Sequence, residues 1–281
     1  MRSEYIKCAE GDLHVIVAGE KGKAVLLLSG AGVDNAHLSW KHLIPALSPY
    51  YRVFAIDWPK QGKSVPWNGL ADHKYLLKCV DTVLSHYNLK TINLVGLSQG
   101  GAITLAYTIL NPEKVEKFVA IAPGGILRFP VIYHQLLWLS AKLPSLTSGI
   151  SKLFFKKRKT TALSLKYIFP VLPPDFDSIV DEVYEEALLN GTKASDWQNN
   201  SIGFFKMKIN LMPELHRISC PALFIQGDKD AAVNPKFTTE ASSKIQNAKL
   251  IILENHGHWL NRQSPEKVNG IILDFLNENK I

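Results

Sequence analysis

The sequence predicts an α/β protein whose mostly parallel central sheet carries helices on both faces. Strand-like and helix-like segments alternate through the first 125 residues, stop alternating between Ile126 and Met212, and then alternate again to the end. Such alternation is typical of βαβ units, in which each crossover helix covers one face of a parallel sheet. We therefore predict one core domain, residues 1–125 and 213–281, interrupted by a helical insertion, residues 126–212.

Hydrophobic periodicity defines the elements of the core. The run Ala24–Ser29 is apolar up to its terminal serine, as in a strand buried on both faces, whereas Ala71–Tyr87 has the spacing of an amphipathic helix. Pro112 ends the helix predicted after the glycine-rich turn at residues 96–101. The other predicted strands are Leu13–Ala18, Tyr51–Asp57, Thr91–Gly96, Val115–Ala122, Ala222–Gln226 and Lys249–Leu253. The other predicted helices are His37–Leu47, Gln99–Leu110, Pro235–Ile245 and Pro265–Asn277.

The insertion is rich in leucine and aromatic residues and is broken repeatedly by proline. We predict that it forms a helical cap over the carboxyl edge of the sheet. Its aromatic residues suit an apolar pocket, although most of them are expected to form the core of the cap and its contact with the main domain. They include Phe129, Tyr133, Trp138, Phe154, Trp197, Phe204 and Phe205.

The net charge of +7 invites a nucleic-acid interpretation, but its distribution argues against one. The insertion holds eleven basic and seven acidic residues, a formal +4, so the basicity belongs largely to that segment. The cluster Lys152–Lys159 is interpreted as a solvated helix face and its C-terminal end, where cations are favourable. No nucleic-acid partner is expected.

Other features of the chain also exclude classes of protein. No apolar run reaches the roughly 18–20 residues of a membrane span, so integral membrane association is not expected. The N-terminus lacks the apolar core of a secretory signal, and the three scattered cysteines predict neither a disulfide framework nor a metal site. A cytoplasmic protein without metal or cofactor is the expectation.

The most informative motif is Gly96-Leu-Ser98-Gln-Gly100, which follows a predicted strand and opens a predicted helix. A serine hydroxyl needs a base to remove its proton and donors to stabilise the oxyanion that forms. A sharp strand-to-helix turn lifts the hydroxyl clear of the sheet and places free N–H groups beside it. The alternative is a serine that only caps a helix, and acidic and basic partners later in the chain would argue against it.

Candidate partners for Ser98 come after two later strands. One strand ends in Gly227-Asp228-Lys229-Asp230, and the next ends in Asn255-His256-Gly257-His258-Trp259. The order serine, aspartate, histidine is that of enzymes with a nucleophile elbow. From the residues alone, either aspartate and either histidine is a candidate.

Four motifs together make the chain resemble the α/β-hydrolase superfamily over nearly its whole length outside the insertion. They are Ser29-Gly-Ala-Gly32 after a strand, Asp57-Trp-Pro-Lys-Gln-Gly-Lys-Ser64, the Ser98 pentapeptide, and Gly227-Asp-Lys-Asp230 paired with Gly257-His-Trp259. The resemblance implies an α/β-hydrolase fold with an inserted cap.

The resemblance also assigns roles. It makes Ser98 the nucleophile, His258 the general base and Asp230 the orienting acid, because the Gly-x-x-Asp and Gly-His-Trp patterns select these two over Asp228 and His256. The backbone N–H groups of Ala31 and Gln99 are the implied oxyanion hole. Two positions depart from the pattern of the family: Ser29 replaces its usual histidine, and Lys60 replaces a glycine.

The expected function is hydrolysis of carboxylic esters of small or medium, largely apolar substrates by a serine hydrolase. Candidate pocket residues are His37, Phe129, Tyr133, Trp138 and Trp259. The alternatives are a lactonase, a carbon–carbon bond hydrolase of the same fold and a non-enzymatic ligand-binding protein. A more remote alternative is a dinucleotide-binding enzyme that uses Gly30-Ala-Gly32, although Asn35 stands where a third glycine belongs. The partner is a small-molecule substrate, and the sequence does not predict the oligomeric state.

Overall fold

The core of the protein is an eight-stranded sheet. The computed structural model describes residues 1–130, 132–142, 157–191 and 196–278. In chain order the strands are β1 (Arg2–Lys7), β2 (Asp12–Ala18), β3 (Ala24–Leu28), β4 (Arg52–Ile56), β5 (Ile92–Leu97), β6 (Val115–Ile121), β7 (Ala222–Gly227) and β8 (Ala248–Leu253). They lie side by side in the order β1-β2-β4-β3-β5-β6-β7-β8.

The sheet is parallel from β4 to β8 and antiparallel only at its first edge. There β1 pairs with β2, and β2 pairs with β4. The residues of β3 and β5 are buried throughout, as expected for central strands covered on both faces. Parallel strands end at the same edge, so the loops after β3, β5, β7 and β8 gather there.

Helices cover both faces of this sheet. Those of the core are α1 (Ala36–Trp40), α2 (Leu43–Leu47), α3 (His73–His86), α4 (Gln99–Leu110), α9 (Pro235–Ser243), α10 (Leu260–Gln263) and α11 (Pro265–Asn277). Between β6 and β7 lie α5 (Ile132–Lys142), α6 (Arg158–Ile168), α7 (Phe176–Asn190) and α8 (Asp196–Ser201). In the part of the chain that the structure describes, no helix is long and apolar enough to cross a membrane.

The structure departs from the predicted elements in the helix after β3 and at the first strand. The predicted helix His37–Leu47 is two short helices, because Pro45 has no N–H to donate to the carbonyl one turn earlier. Strand β1 was not predicted. Only Ile6 of its residues is buried, so its sequence carries little apolar alternation, and pairing with β2 forms it.

Helix α7 of the insertion is held to the core by two carboxylates one turn apart. Glu182 binds the Lys41 ammonium and the buried Arg262 guanidinium. Burial acts to raise the pKa of Glu182, but these two cations outweigh it and hold that pKa at about 2. Glu186 accepts hydrogen bonds from the Asn35 side chain and from the Gly62 N–H group.

The basic cluster of the insertion is only partly within the described residues, since 152–156 lie outside them. Within it, the Arg158 guanidinium forms ion pairs with Asp177 and Asp181 on α7. At least part of this positive charge is therefore balanced by the neighbouring helix.

Candidate active site

Ser98 occupies the turn between β5 and α4 with φ +52° and ψ −110°. A non-glycine residue is strained in this conformation, and such strain is typical of functional turns. Close packing on both sides requires glycine. A Cβ at Gly100 would lie 1.9 Å from the carbonyl oxygen of Leu28, and one at Gly96 would lie 2.3 Å from the carbonyl oxygen of Gly100.

Asp230 and His258 form a hydrogen-bonded pair at the same sheet edge. His258 Nδ1 lies 2.8 Å from Asp230 Oδ2, and the Asp230 side chain is fully buried. The carboxylate also accepts from the Gln226 amide and from the N–H groups of Ala232 and Val233. Burial acts to raise the pKa of Asp230, but His258 and these donors outweigh it and leave that pKa below its ordinary value.

An ionised Asp230 fixes the tautomer of His258. A carboxylate only accepts hydrogen bonds, so Nδ1 carries the proton and Nε2 is left with its lone pair as a base. Among the described residues, no hydrogen bond joins the Ser98 hydroxyl to His258 Nε2. Hydrogen bonds of this kind are often long in unliganded enzymes and shorten when substrate binds.

The competing acid and base have other partners. Asp228 is exposed and accepts the N–H group of His256 at 3.2 Å. The two ring nitrogens of His256 lie 2.7 Å from the carbonyl oxygen of Glu254 and 2.8 Å from the hydroxyl of Ser264. Asp228 and His256 therefore stabilise the loop that carries His258.

The loop after β3 lies against Ser98, and its N–H groups differ in whether they already donate a hydrogen bond. A Cβ at Gly30 would be 3.8 Å from the Ser98 Cβ. The Gly30 N–H group is already donated to Asp34 Oδ2 at 2.7 Å, whereas no partner of the Ala31 N–H group occurs in the described chain. The next free donor along this loop is therefore that of Ala31.

Gln61 holds the peptide that carries this donor. Its side-chain amide donates to the carbonyl oxygens of Gly30 at 3.0 Å and Gly32 at 3.1 Å. In a trans peptide the C=O and N–H bonds point in opposite directions, so fixing the Gly30 carbonyl also fixes the Ala31 N–H. Gln61 was not among the site residues predicted from the sequence. Its place in the Asp57–Ser64 motif, after the strand next to β3, was the available signal.

Trp197 of α8 lies beside the turn that carries Ser98. A Cβ at Gly124 would lie 3.2 Å from its ring and 3.4 Å from the Ser98 carbonyl oxygen. The Trp197 indole N–H donates to His73 Nδ1 at 3.0 Å. Beside it is a cavity with room for about one water molecule, which is lined in part by Gln61 and Gln99.

The structure describes four of the five predicted pocket side chains, those of His37, Phe129, Trp138 and Trp259. His37 and Phe129 are exposed. Trp138 packs against a small apolar cluster, with its ring centroid 5.3 Å from that of Phe204. Trp259 is buried and stacked on the Phe169 ring. The side chain of Tyr133 lies outside the described residues. Helix packing, which sequence order does not reveal, placed Trp138 and Trp259 among other apolar side chains and brought Trp197 to the site.

Comparison with known proteins places the chain in a family. The model of the alpha/beta hydrolase fold matches residues 23–265. The chain belongs to the α/β-hydrolase family, and its Gly30-Ala-Gly32 loop is therefore not that of a dinucleotide-binding fold.

Individual relatives are similar over almost their whole length. The chain is 27% identical to 2-hydroxy-6-oxononadienedioate/2-hydroxy-6-oxononatrienedioate hydrolase 1 of Dechloromonas aromatica, over 98% of this chain and 95% of that protein. Among solved structures, a meta-cleavage product hydrolase of Pseudomonas fluorescens has a TM-score of 0.80 at 21% identity, covering 98% and 97% of the two chains. Naproxen esterase of Bacillus subtilis has a TM-score of 0.76 at 23% identity, covering 98% and 91%. The chain is thus a hydrolase of this fold.

Replacing Gln61 with methionine is expected to lower kcat by about tenfold to a hundredfold and to leave KM nearly unchanged. Methionine has a similar length but cannot donate to the Gly30 and Gly32 carbonyls, so the Ala31 N–H loses its fixed direction. Steady-state kinetics would measure the effect. Gln135→Met, which removes a similar amide donor to the Phe204 carbonyl, is the control. Equal kcat values in the two variants would contradict the role given to Gln61.

Asp34 is expected to make stability depend on pH. Burial raises its pKa to about 7, against hydrogen bonds from Ser39, Gly30 and Asn35. The folded state then keeps a proton that the unfolded state releases above pH 3.8. This contribution to the free energy of unfolding is complete below pH 3.8 and falls as the pH rises to 7, by at most about 1.4 kcal/mol per pH unit.

The measurement is urea unfolding of the wild type and of Asp34→Asn between about pH 4 and pH 8. The difference in their free energies of unfolding isolates Asp34 from other titrating groups. We expect the wild type to lose stability relative to the variant as the pH rises. A difference that does not change with pH would show that Asp34 titrates in its ordinary range.

Proposed function

We propose that the protein hydrolyses a carbon–carbon bond next to a ketone in an acyclic 2-hydroxy-6-oxo-dienoate. The observation that carries this proposal is the similarity to 2-hydroxy-6-oxononadienedioate/2-hydroxy-6-oxononatrienedioate hydrolases over 98% of this chain. Such a compound contains no ester, amide or lactone, so hydrolysis has to break a carbon–carbon bond. The comparisons support this alternative better than the ester hydrolysis first expected from the sequence.

The residues at the sheet edge suit this reaction. The Ser98 oxygen adds to the 6-oxo carbon and gives its proton to His258 Nε2, while Asp230 stabilises the charged imidazole. The negative charge on the former ketone oxygen is accepted by the N–H groups of Ala31 and Gln99. This first step is the same for an ester and for a ketone.

The step that distinguishes the substrates is departure of a carbon group. After the 2-hydroxy-dienoate has shifted its hydroxyl proton to carbon 5, the bond between carbons 5 and 6 breaks, and its electron pair is delocalised to the 2-oxo group. The resulting enolate oxygen takes the proton from His258, so a 2-hydroxy-2,4-dienoate leaves and an acyl ester remains on Ser98. Water activated by His258 then hydrolyses this ester and restores the free serine.

A substrate panel tests the proposal. Purified protein is given 2-hydroxy-6-oxo-dienoates, p-nitrophenyl esters, lactones and thioesters, and kcat/KM is compared. We expect the dienoates to be preferred by about a hundredfold, with loss of their conjugated absorbance and formation of one carboxylic acid per bond broken. Preference for p-nitrophenyl esters would instead support an ester hydrolase. Ser98 labelling by a fluorophosphonate without turnover of any substrate would support a ligand-binding protein.

A further inference from the structure

A second serine–histidine–aspartate chain lies at the antiparallel edge of the sheet. The Ser3 hydroxyl on β1 is 2.7 Å from His14 Nε2 on β2, and His14 Nδ1 is 2.7 Å from Asp57 Oδ2, just after β4. None of these residues belongs to the group formed by Ser98, Asp230 and His258.

Asp57 determines which way the protons point in this chain. Its carboxylate also accepts the N–H groups of Ala36 and Lys63, both at 2.8 Å. The Asp57 carboxylate can only accept hydrogen bonds, so His14 carries its proton on Nδ1. His14 Nε2 then accepts a hydrogen bond from the Ser3 hydroxyl. His14 and Asp57 are both buried, and the backbone N–H of His14 donates to the Ser64 hydroxyl. The base is therefore held in place before any reagent arrives.

Ser3 itself is exposed, so a reagent can reach it from solvent. It lies within a regular strand paired with β2, and not on a strand-to-helix turn as Ser98 does. The N–H groups at the start of a helix, which the Ser98 site has, are missing from such a position. This arrangement favours transfer of one group to the serine over repeated turnover.

We propose that Ser3 is a second nucleophilic serine, activated by His14 and Asp57, that accepts an acyl or phosphonyl group from activated donors such as aryl esters and fluorophosphonates. With a fluorophosphonate, the Ser3 oxygen bonds to phosphorus and the phosphorus–fluorine bond breaks. Fluoride leaves with the electron pair. The hydroxyl proton passes to His14 Nε2 and then to solvent, so the product is a phosphonylated Ser3.

The test uses the full-length Ser98→Ala protein, so its result does not depend on the function proposed for Ser98. The protein is treated with a fluorophosphonate, digested with trypsin, and the peptide Ser3–Lys7 is followed by tandem mass spectrometry, which separates adducts on Ser3 and Tyr5. Ser85, an exposed serine on α3, is the internal control. We expect Ser3 to react about a hundredfold faster than Ser85, the contribution of a positioned general base.

Three further variants separate activation from simple exposure. Ser3→Ala in the same background is expected to remove the adduct from this peptide. Because replacement of the buried His14 risks unfolding, activation by His14 is measured instead with Ser3→Cys and Ser85→Cys. A thiol beside His14 should be alkylated by iodoacetamide about tenfold faster than one on α3. Equal rates at the two positions, for the fluorophosphonate or for iodoacetamide, would overturn the proposal.

Discussion

Ser98→Ala is expected to lower kcat for the dienoate substrates by about 10⁴-fold to 10⁶-fold, the loss seen when a serine nucleophile is removed. The variant keeps the Ala31 and Gln99 donors but has no oxygen to add to the carbonyl carbon. Steady-state kinetics on purified protein would measure the loss, with fluorophosphonate labelling of the Ser98 peptide as a second readout.

The matched control for this loss is Ser85→Ala, which removes a hydroxyl from the exposed surface of α3. Its kcat is expected to equal that of the wild type. His258→Ala should lose activity to a similar extent, because the two residues act as a unit. Near-normal turnover in either Ser98→Ala or His258→Ala would show that the nucleophile or the base has been misassigned.

Ser98→Gly adds a prediction about stability. Glycine adopts φ +52° without the strain that a side chain incurs, so this variant is expected to be inactive and more stable than Ser98→Ala by about 1 kcal/mol. Urea unfolding of the two variants would measure the difference. Equal stabilities would mean that the turn stores no strain at this residue.

Gly100→Ala is expected to destabilise the protein by about 4 kcal/mol or more, enough to prevent folding of many domains. The new methyl group would lie 1.9 Å from the carbonyl oxygen of Leu28 and 2.7 Å from that of Ser29. Backbone atoms of a central strand cannot move away without disrupting its pairing, so α4 would have to shift and the turn at Ser98 with it. Thermal unfolding followed by circular dichroism, together with the soluble yield, would measure the effect.

Gly270→Ala is the control for this substitution. A Cβ at Gly270 has open space around it, and the residue lies within α11. Alanine is the better helix former, so this variant is expected to be more stable than the wild type by up to about 1 kcal/mol. Similar melting temperatures for the two alanine variants would contradict the close approach of α4 to β3.

Much of the fold can be predicted from local sequence. Every predicted strand of the core is present within one or two residues, because apolar runs bounded by turn residues are a short-range signal. Pro112 and Pro265 bound α4 and α11 for an equally local reason. Strand β1 escaped prediction because its polar residues become a strand only when β2 offers hydrogen bonds.

The residues of the candidate site also differ in whether local sequence predicts them. The sequence pointed to Ser98 through its glycine-flanked turn, and to two aspartates and two histidines through their loops at the ends of parallel strands. The family resemblance selected Asp230 and His258 from these. Those signals come from neighbouring residues and from the rule that the carboxyl ends of parallel strands lie at the same edge of the sheet. Asp34 had no such signal, and Gln61 had only its place in the Asp57–Ser64 motif. Both residues matter because of hydrogen bonds to the Gly30 loop that form only after β3 and β4 pair.

Chain order therefore determined the family resemblance, the alternating core and the three residues assigned to chemistry, because each depends on neighbours a few residues apart. Tertiary structure alone decided which aromatic residue of the insertion lies near the turn that carries Ser98. Trp197 lies beside it, while Trp138 and Trp259 are used in packing. It also brought Ser3, His14 and Asp57 together from three separate segments. Contacts between segments distant in sequence arise only when the sheet assembles, and no local pattern encodes them.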